Sequence, residues 1–200
     1  MAPGTRRYDP DRRQRIIDAA IRVVGERGIA GLSHRSAAAE ADVPLGSTTY
    51  HFKTLDDLLV AALQQANEGF AQAVEGSAAL ADLDREPAPD GDGTPSADPG
   101  ADLAGALARL LGELLGADRG RVELEYELYL AALRRPALRP VAAQWCEAFA
   151  AALAPRTDPV TARALVAVMD GIGLQVLLTD TAYDEAYARE VLARMLRPSS

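Results

Sequence analysis

Apolar residues recur along this chain three and four positions apart, and proline, glycine and short polar runs punctuate them. Ile16, Ile17, Ala20, Val23 and Val24 form the first such stripe. Asp9-Pro10 supplies a cap and a first-turn proline ahead of it, and Gly28 supplies a stop behind it. Leu32 is placed to tuck beneath the next pair of helices. Residues 33–52 read as two very short helices and a sharp turn. Ser33 is the N-cap of the first, and Ala37, Ala38 and Ala41 are small enough for tight packing. Asp42-Val43-Pro44 breaks it, because proline drives the preceding residue out of the α region. The second helix runs roughly from Pro44 to His51, with Val43 and Phe52 buried at its ends. Thr54–Asp57 is a capping box opening a fourth helix with Leu55, Leu58, Leu59, Ala62, Leu63, Ala66 and Phe70 on one face.

The pattern fails over residues 84–100, where Pro87, Pro89, Pro95 and Pro99 mix with Gly91, Gly93, Gly100 and four Asp. That composition predicts an exposed flexible loop, or alternatively a lid over a pocket. Helical spacing returns at Ala101 with Leu103, Leu107, Leu110, Leu111 and Leu114. Residues 119–134 are apolar nearly all round: Val122, Tyr126, Tyr129, Leu130 and Leu133 on one face, Leu124 and Leu128 on another, which predicts a central helix. Glu123 and Glu127 share a side and are expected in solvent, with Glu125 partly buried. Pro136 and Pro140 lead into a helix carrying Val141, Trp145, Phe149 and Leu153. The last two helices are expected at 159–179 and 183–196. Val160, Ala164, Leu165, Val168, Met169, Ile172 and Val176 make a long apolar face on one, and Ala186, Val191, Leu192, Met195 and Leu196 make the other, faces to be covered by a second subunit or within one; Gly171 and Gly173 permit close backbone approach. The fold class is therefore all-α.

Composition adds bounds. With 48% apolar and 25% charged content, 200 residues suit one or two globular domains, and 5% aromatics with abundant alanine and leucine favour helix. No apolar run reads as long enough to span a bilayer, and Arg6, Arg7, Arg12 and Arg13 leave no hydrophobic signal core, so a cytoplasmic protein without membrane contact is expected. Cys146 is the sole cysteine, which excludes an intrachain disulfide. Without a Cys or His cluster, neither a metal site nor a cofactor is expected. The net charge of −8 is unevenly spread: residues 1–60 hold nine Arg and Lys against eight Asp and Glu (+1), and the remainder twelve against twenty-one (−9). The acidic balance thus sits away from the two short helices, where local charge decides contact with phosphate.

Ser47, Thr48, Thr49, Tyr50 and His51 are poor core material for a helix. They suit the major groove of DNA, where hydroxyls meet base edges or phosphates and methyls meet thymine. Here the block resembles the helix-turn-helix of the TetR family of transcriptional regulators. Ser33, Ala38, Val43, Gly46, His51 and Phe52 match the family pattern. Ala37, Asp42, Leu45 and Thr49 stand where Ile, Gly, Lys and Tyr are usual. The resemblance implies an N-terminal three-helix DNA-binding domain over residues 1–54 and a C-terminal helical ligand-binding and dimerisation domain over 55–198. It implies a homodimer formed through the last two helices on a palindromic double-stranded operator, as a repressor released by a small-molecule effector. Ser47, Thr48, Thr49 and Tyr50, with Leu45, are then expected nearest the bases, and Ser33, Arg35, His51 and Lys53 nearest the phosphates. Arg6 and Arg7 form an arm that reaches DNA or is simply a soluble tail.

Leu107, Tyr126, Tyr129, Trp145, Phe149, Met169 and Gln175 are the larger, partly polar residues of the second half and suit a pocket for an apolar or aromatic effector, or plain core. Asp170 and Glu125 are carboxylates in apolar segments, suited to a cationic or hydroxylated ligand or to a structural ion pair with arginine. His34 and His51 are the only histidines and both lie in the reading block. No nucleophile–base pair or phosphate loop is present, so an enzyme is not expected. The alternative is an all-helical dimeric small-molecule-binding protein without operator binding.

Overall fold

The computed structural model describes residues 10–81, 83, 99–117 and 119–197, and every regular element among them is helical. The Arg6–Arg7 arm, Asp9 and residues 84–98 lie outside the described residues. The elements are α1 (Arg12–Arg27), α2 (His34–Glu40), α3 (Leu45–His51), α4 (Leu55–Glu75), α5 (Ala78–Ala81), α6 (Pro99–Ala117), α7 (Arg119–Ala131), α8 (Arg139–Leu153), α9 (Pro159–Thr179) and α10 (Glu185–Leu196). They cluster into two compact units. One is Met1–Gln65 with Leu124–Arg139, and the other Ala66–Glu123 with Pro140–Ser200.

In the first unit α1 packs on α2 and α3, burying Ile16, Ile17, Ala20, Val23 and Val24 as their spacing predicts. Gly28 ends α1 at φ 68°, a conformation that side chains disfavour, and its N–H bonds Val24 O at 2.8 Å. Ser33 caps α2 as expected, but its reciprocal partner is Ser36: Ser33 Oγ accepts from Ser36 N at 3.0 Å, and Ser36 Oγ accepts from Ser33 N at 2.8 Å. α2 ends in a Schellman turn, with Asp42 N–H bonding Ala39 O and Val43 N–H bonding Ala38 O. Asp42 takes the left-handed position at φ 51° that glycine usually fills. Pro44 stands before α3 as its cap residue, not within its first turn. Phe52 is buried, whereas Val43 is only half-buried. The Thr54–Asp57 capping box forms with bonds of 2.8 and 3.1 Å. Thr54's backbone and hydroxyl bonds hold the Asp57 carboxyl below the usual carboxylate range.

The segment from α7 in this unit departs from expectation. Glu127, expected in solvent, accepts the Ile29 N–H at 2.7 Å and so satisfies the backbone just past α1. Arg135 Nη1 bonds Asp56 Oδ1 at 2.5 Å in the first turn of α4. Leu128 is buried, but Leu130 and, past the end of α7, Leu133 are exposed, although both were expected on an apolar face. A helix apolar all round by pattern still needs neighbours all round to be central.

In the second unit α10 packs on α6 and α9, and α6 on α5 and α9. One core joins Leu107, Leu110, Leu111, Phe149, Leu153, Leu165, Met169, Ile172 and Leu192. α6 begins at Pro99, inside the stretch expected to be a loop, because proline is tolerated in a first turn. α10 begins at Glu185, with Asp184 Oδ1 accepting the Tyr187 N–H. Tyr183, expected within that helix, instead lays its ring over Gly112 and donates its hydroxyl to Ala108 O at 2.6 Å. Burial first, then Glu185 and Asp184, raise the phenol's pKa well above its ordinary value. Asp158 caps α9 through the Val160 and Thr161 N–H groups, and Arg119 closes its other end on Leu177 O and Asp180.

One expectation about length fails. α9 is long and apolar enough by length and composition to cross a membrane, with a third of that stretch buried within this chain. Its outward positions explain the shortfall. Val160, Ala164, Ala167, Gly171, Leu174 and Leu178 share one side of the helix, with Val160 78% and Leu178 76% exposed. Val160, expected on the long apolar face of this helix, is thus not buried within the single chain. On α10, Ala186, Tyr187 and Met195 are likewise exposed, while Ala188 and Leu192 carry the packing.

Candidate DNA-reading surface and effector site

α3 has seven residues and presents two chemically different sides. Leu45, Gly46, Thr49 and Tyr50 are exposed, Tyr50 at 75% and Leu45 at 45%. Spaced one and four apart, they form one continuous outward side. Lys53 Nζ lies 5.8 Å from the Tyr50 ring centroid, so the cation and the aromatic stand together. The Tyr50 and His51 rings meet edge to face at 5.1 Å. Ser33 and Arg35 are also exposed, and Ser47 and His51 are half-exposed.

Thr48 is the exception among the expected base-facing residues. It is fully buried, and its hydroxyl donates to Leu45 O at 2.8 Å. Its position one turn before Phe52, on the inner side of so short a helix, makes it a packing residue; residue type alone gives no sign of that. Arg13, absent from the sequence candidates, stacks its guanidinium 5.2 Å from the Phe52 ring centroid.

The expected pocket residues divide. Leu107, Phe149 and Met169 are buried in the common core of the second unit. Trp145 joins them through Phe70, whose ring lies 5.2 Å from Trp145 and 5.3 Å from Phe149, both edge to face. By sequence Phe70 is only a helix-face residue. Its partners lie some 75 residues on, and nothing local in the sequence points to them. Gln175 is exposed on α9, and Tyr126 and Tyr129 belong to the other compact unit. The second unit by itself therefore assembles an aromatic corner from α4 and α8, packed on the core that also holds Met169 of α9. Asp170 follows Met169 and is half-buried, and burial pushes its carboxyl up to about 6. Glu125 is also half-buried, as expected.

A three-helix N-terminal reading head ahead of a larger helical unit with an apolar core defines the class as a helix-turn-helix regulator. Comparison with known proteins narrows it. Residues 98–198 match the family described as Tetracyclin repressor-like, C-terminal domain. A TetR-family member from Streptomyces coelicolor A3 (SCO1917) is 69% identical, with 94% of this chain and 100% of that one aligned at a TM-score of 0.79. The multidrug binding protein EbrR complexed with ethidium is 70% identical over 94% of this chain and 99% of that one, with a TM-score of 0.80. The same protein has also been solved with proflavin and with malachite green. The nicotine-responsive transcriptional repressor HdnoR of Paenarthrobacter nicotinovorans is 41% identical over 71 residues, 34% of this chain and 37% of that protein. The chain belongs to the TetR family of transcriptional regulators.

Proposed function

We propose that this regulator is a homodimeric repressor that binds a near-palindromic operator and leaves it when an aromatic cation occupies the second unit. The observation that carries the DNA half is the outward side of α3: Leu45, Thr49 and Tyr50 are exposed on a helix that buries Thr48. Residues 1–54 form the reading domain and 55–198 the effector-binding and dimerisation domain. Leu45, Ser47, Thr49 and Tyr50 read bases; Ser33, Arg35, His51 and Lys53 hold phosphates. The exposed apolar stripe of α9, with Tyr187 and Met195 of α10, supports pairing of two subunits through the last two helices. Such pairing fixes the spacing of two reading heads near one helical turn.

Ethidium, proflavin and malachite green are extended aromatic cations. The high identity to a protein solved with all three supports an effector of that class here. Release requires that the effector prefer the non-binding arrangement, by roughly 5 kcal/mol for a full switch. The test is a gel-shift titration of the full chain against DNA upstream of its own gene, with and without malachite green. An unrelated repressor on its own operator serves as control, since dyes of this class also bind DNA directly. Retarded DNA that malachite green frees here and not in the control is the expected result. No retardation of any upstream segment would leave the alternative, a dimeric effector-binding protein that does not read DNA.

A further inference from the structure

We infer that Leu45 reads thymine in the operator complex, its side chain packing on the C5-methyl group of one thymine per half-site in the major groove. This rests on the operator reading proposed above and adds the base, and the atom on it, that α3 selects.

Leu45 is the first residue of α3, and close to half of its surface is exposed. The N-terminal residues of a reading helix are the ones that meet base edges. Gly46, Thr49 and Tyr50 are also exposed on α3, and Ser47 and His51 are half-exposed. Ser47, Thr49, Tyr50 and His51 carry hydrogen-bonding groups, and Gly46 carries no side chain. Leu45 alone among them has a purely apolar side chain. It can neither donate to a base edge nor accept from one, so it discriminates by apolar contact. In the major groove the base pairs differ in their donors and acceptors, and thymine adds the one methyl group. A leucine at this position therefore selects thymine or selects nothing.

Two local features prepare this surface. Thr48, fully buried, donates its hydroxyl to Leu45 O at 2.8 Å, and the Ser47 N–H bonds Pro44 O at 2.8 Å. The backbone that carries Leu45 is thus tied to a packed side chain. Beside it, a Cβ added at Gly46 meets nothing within 4 Å. A glycine in a helix costs stability, and the chain's own packing does not call for one here. Its missing side chain lets an outside surface come close to the backbone next to Leu45, as insertion of α3 into a groove requires.

In the experiment the full-length protein selects its operator from a random duplex library. Each thymine of that operator is then replaced in turn, in both half-sites, by deoxyuridine. The exchange removes one methyl group per half-site and leaves base pairing and every donor and acceptor in place. Fluorescence anisotropy compares wild type, Leu45→Ala and Leu45→Met. Both variants alter an exposed side chain and keep a good helix former. At one thymine the exchange should weaken wild type by about fourfold for each half-site, the worth of one buried methyl group. Leu45→Ala should not respond to the exchange at that thymine, while responding at any other as wild type does. Leu45→Met, apolar and of similar volume, should keep most of the response. A wild type that responds at no thymine overturns the inference with operator reading intact. So does a Leu45→Ala variant that responds at every thymine as wild type does. If the selection enriches no duplex, operator reading itself fails, and the thymine contact with it.

Discussion

At Thr48 the hydroxyl turns back to the Leu45 carbonyl and the side chain has no exposed surface, while its neighbours Thr49 and Tyr50 point away from the protein. Thr48→Val should therefore leave the sequence preference of operator binding intact and shift stability by about 1 kcal/mol, the worth of one hydrogen bond. Tyr50→Ala should alter sequence preference. Lys53→Ala should weaken binding to all sequences alike and lower the salt slope by about one. Binding-site selection and salt titration separate these outcomes. Asp42 holds a left-handed backbone at φ 51°, so Asp42→Gly should raise stability by about 0.5–1 kcal/mol, read as a higher denaturant midpoint. Asp170 gives a pH signature. Its folded pKa of about 6 lies above the ordinary 3.8, so the folded state binds its proton more tightly and stability falls as pH rises between those values. Asp170→Asn should thus be more stable than wild type at pH 7, by on the order of 2 kcal/mol, with the difference gone near pH 4. A dominant structural ion pair at Asp170 would give the opposite sign.

Among elements, the starts and stops written in local chemistry are where the sequence places them. Gly28 ends α1, Ser33 caps α2, and Thr54 with Asp57 opens α4. These need only a few adjacent residues. The tie between Glu127 and Ile29 does not, because its partners are 98 residues apart. Its loss should matter: Glu127→Ala leaves the Ile29 N–H without its carboxylate, and chemical denaturation should report a loss of about 1–3 kcal/mol. Pro99 inside α6 and Tyr183 outside α10 show the same limit. A proline-rich composition does not say which proline begins a helix. Nor does helical spacing say that a tyrosine leaves its helix to cover Gly112, where an added Cβ would sit 2.9 Å from the ring.

For the whole molecule, the question is what covers the outer side of α9. Val160, Ala167 and Leu178 are exposed, and a Cβ added at Gly171 meets nothing within 4 Å. Within one subunit, then, neither the small residues nor the glycine is required there. In the proposed homodimer they admit a second helix closely. Leu178→Asp should shift sedimentation toward single subunits and weaken operator binding together, since one reading head cannot span two half-sites. Loss of the dimer with operator affinity unchanged would detach DNA reading from assembly.

The sequence by itself determined the all-helical class, the helix-turn-helix with its caps, and the acidic bias of the larger half, because each comes from composition, from spacing or from contacts among near neighbours. The tertiary structure decided which side of α3 faces out, that Glu127 serves the end of α1, that Phe70 completes the aromatic corner, and which side of α9 is left uncovered. Those depend on which surfaces meet, and residues far apart in the chain settle that by packing, leaving no periodic trace in the sequence.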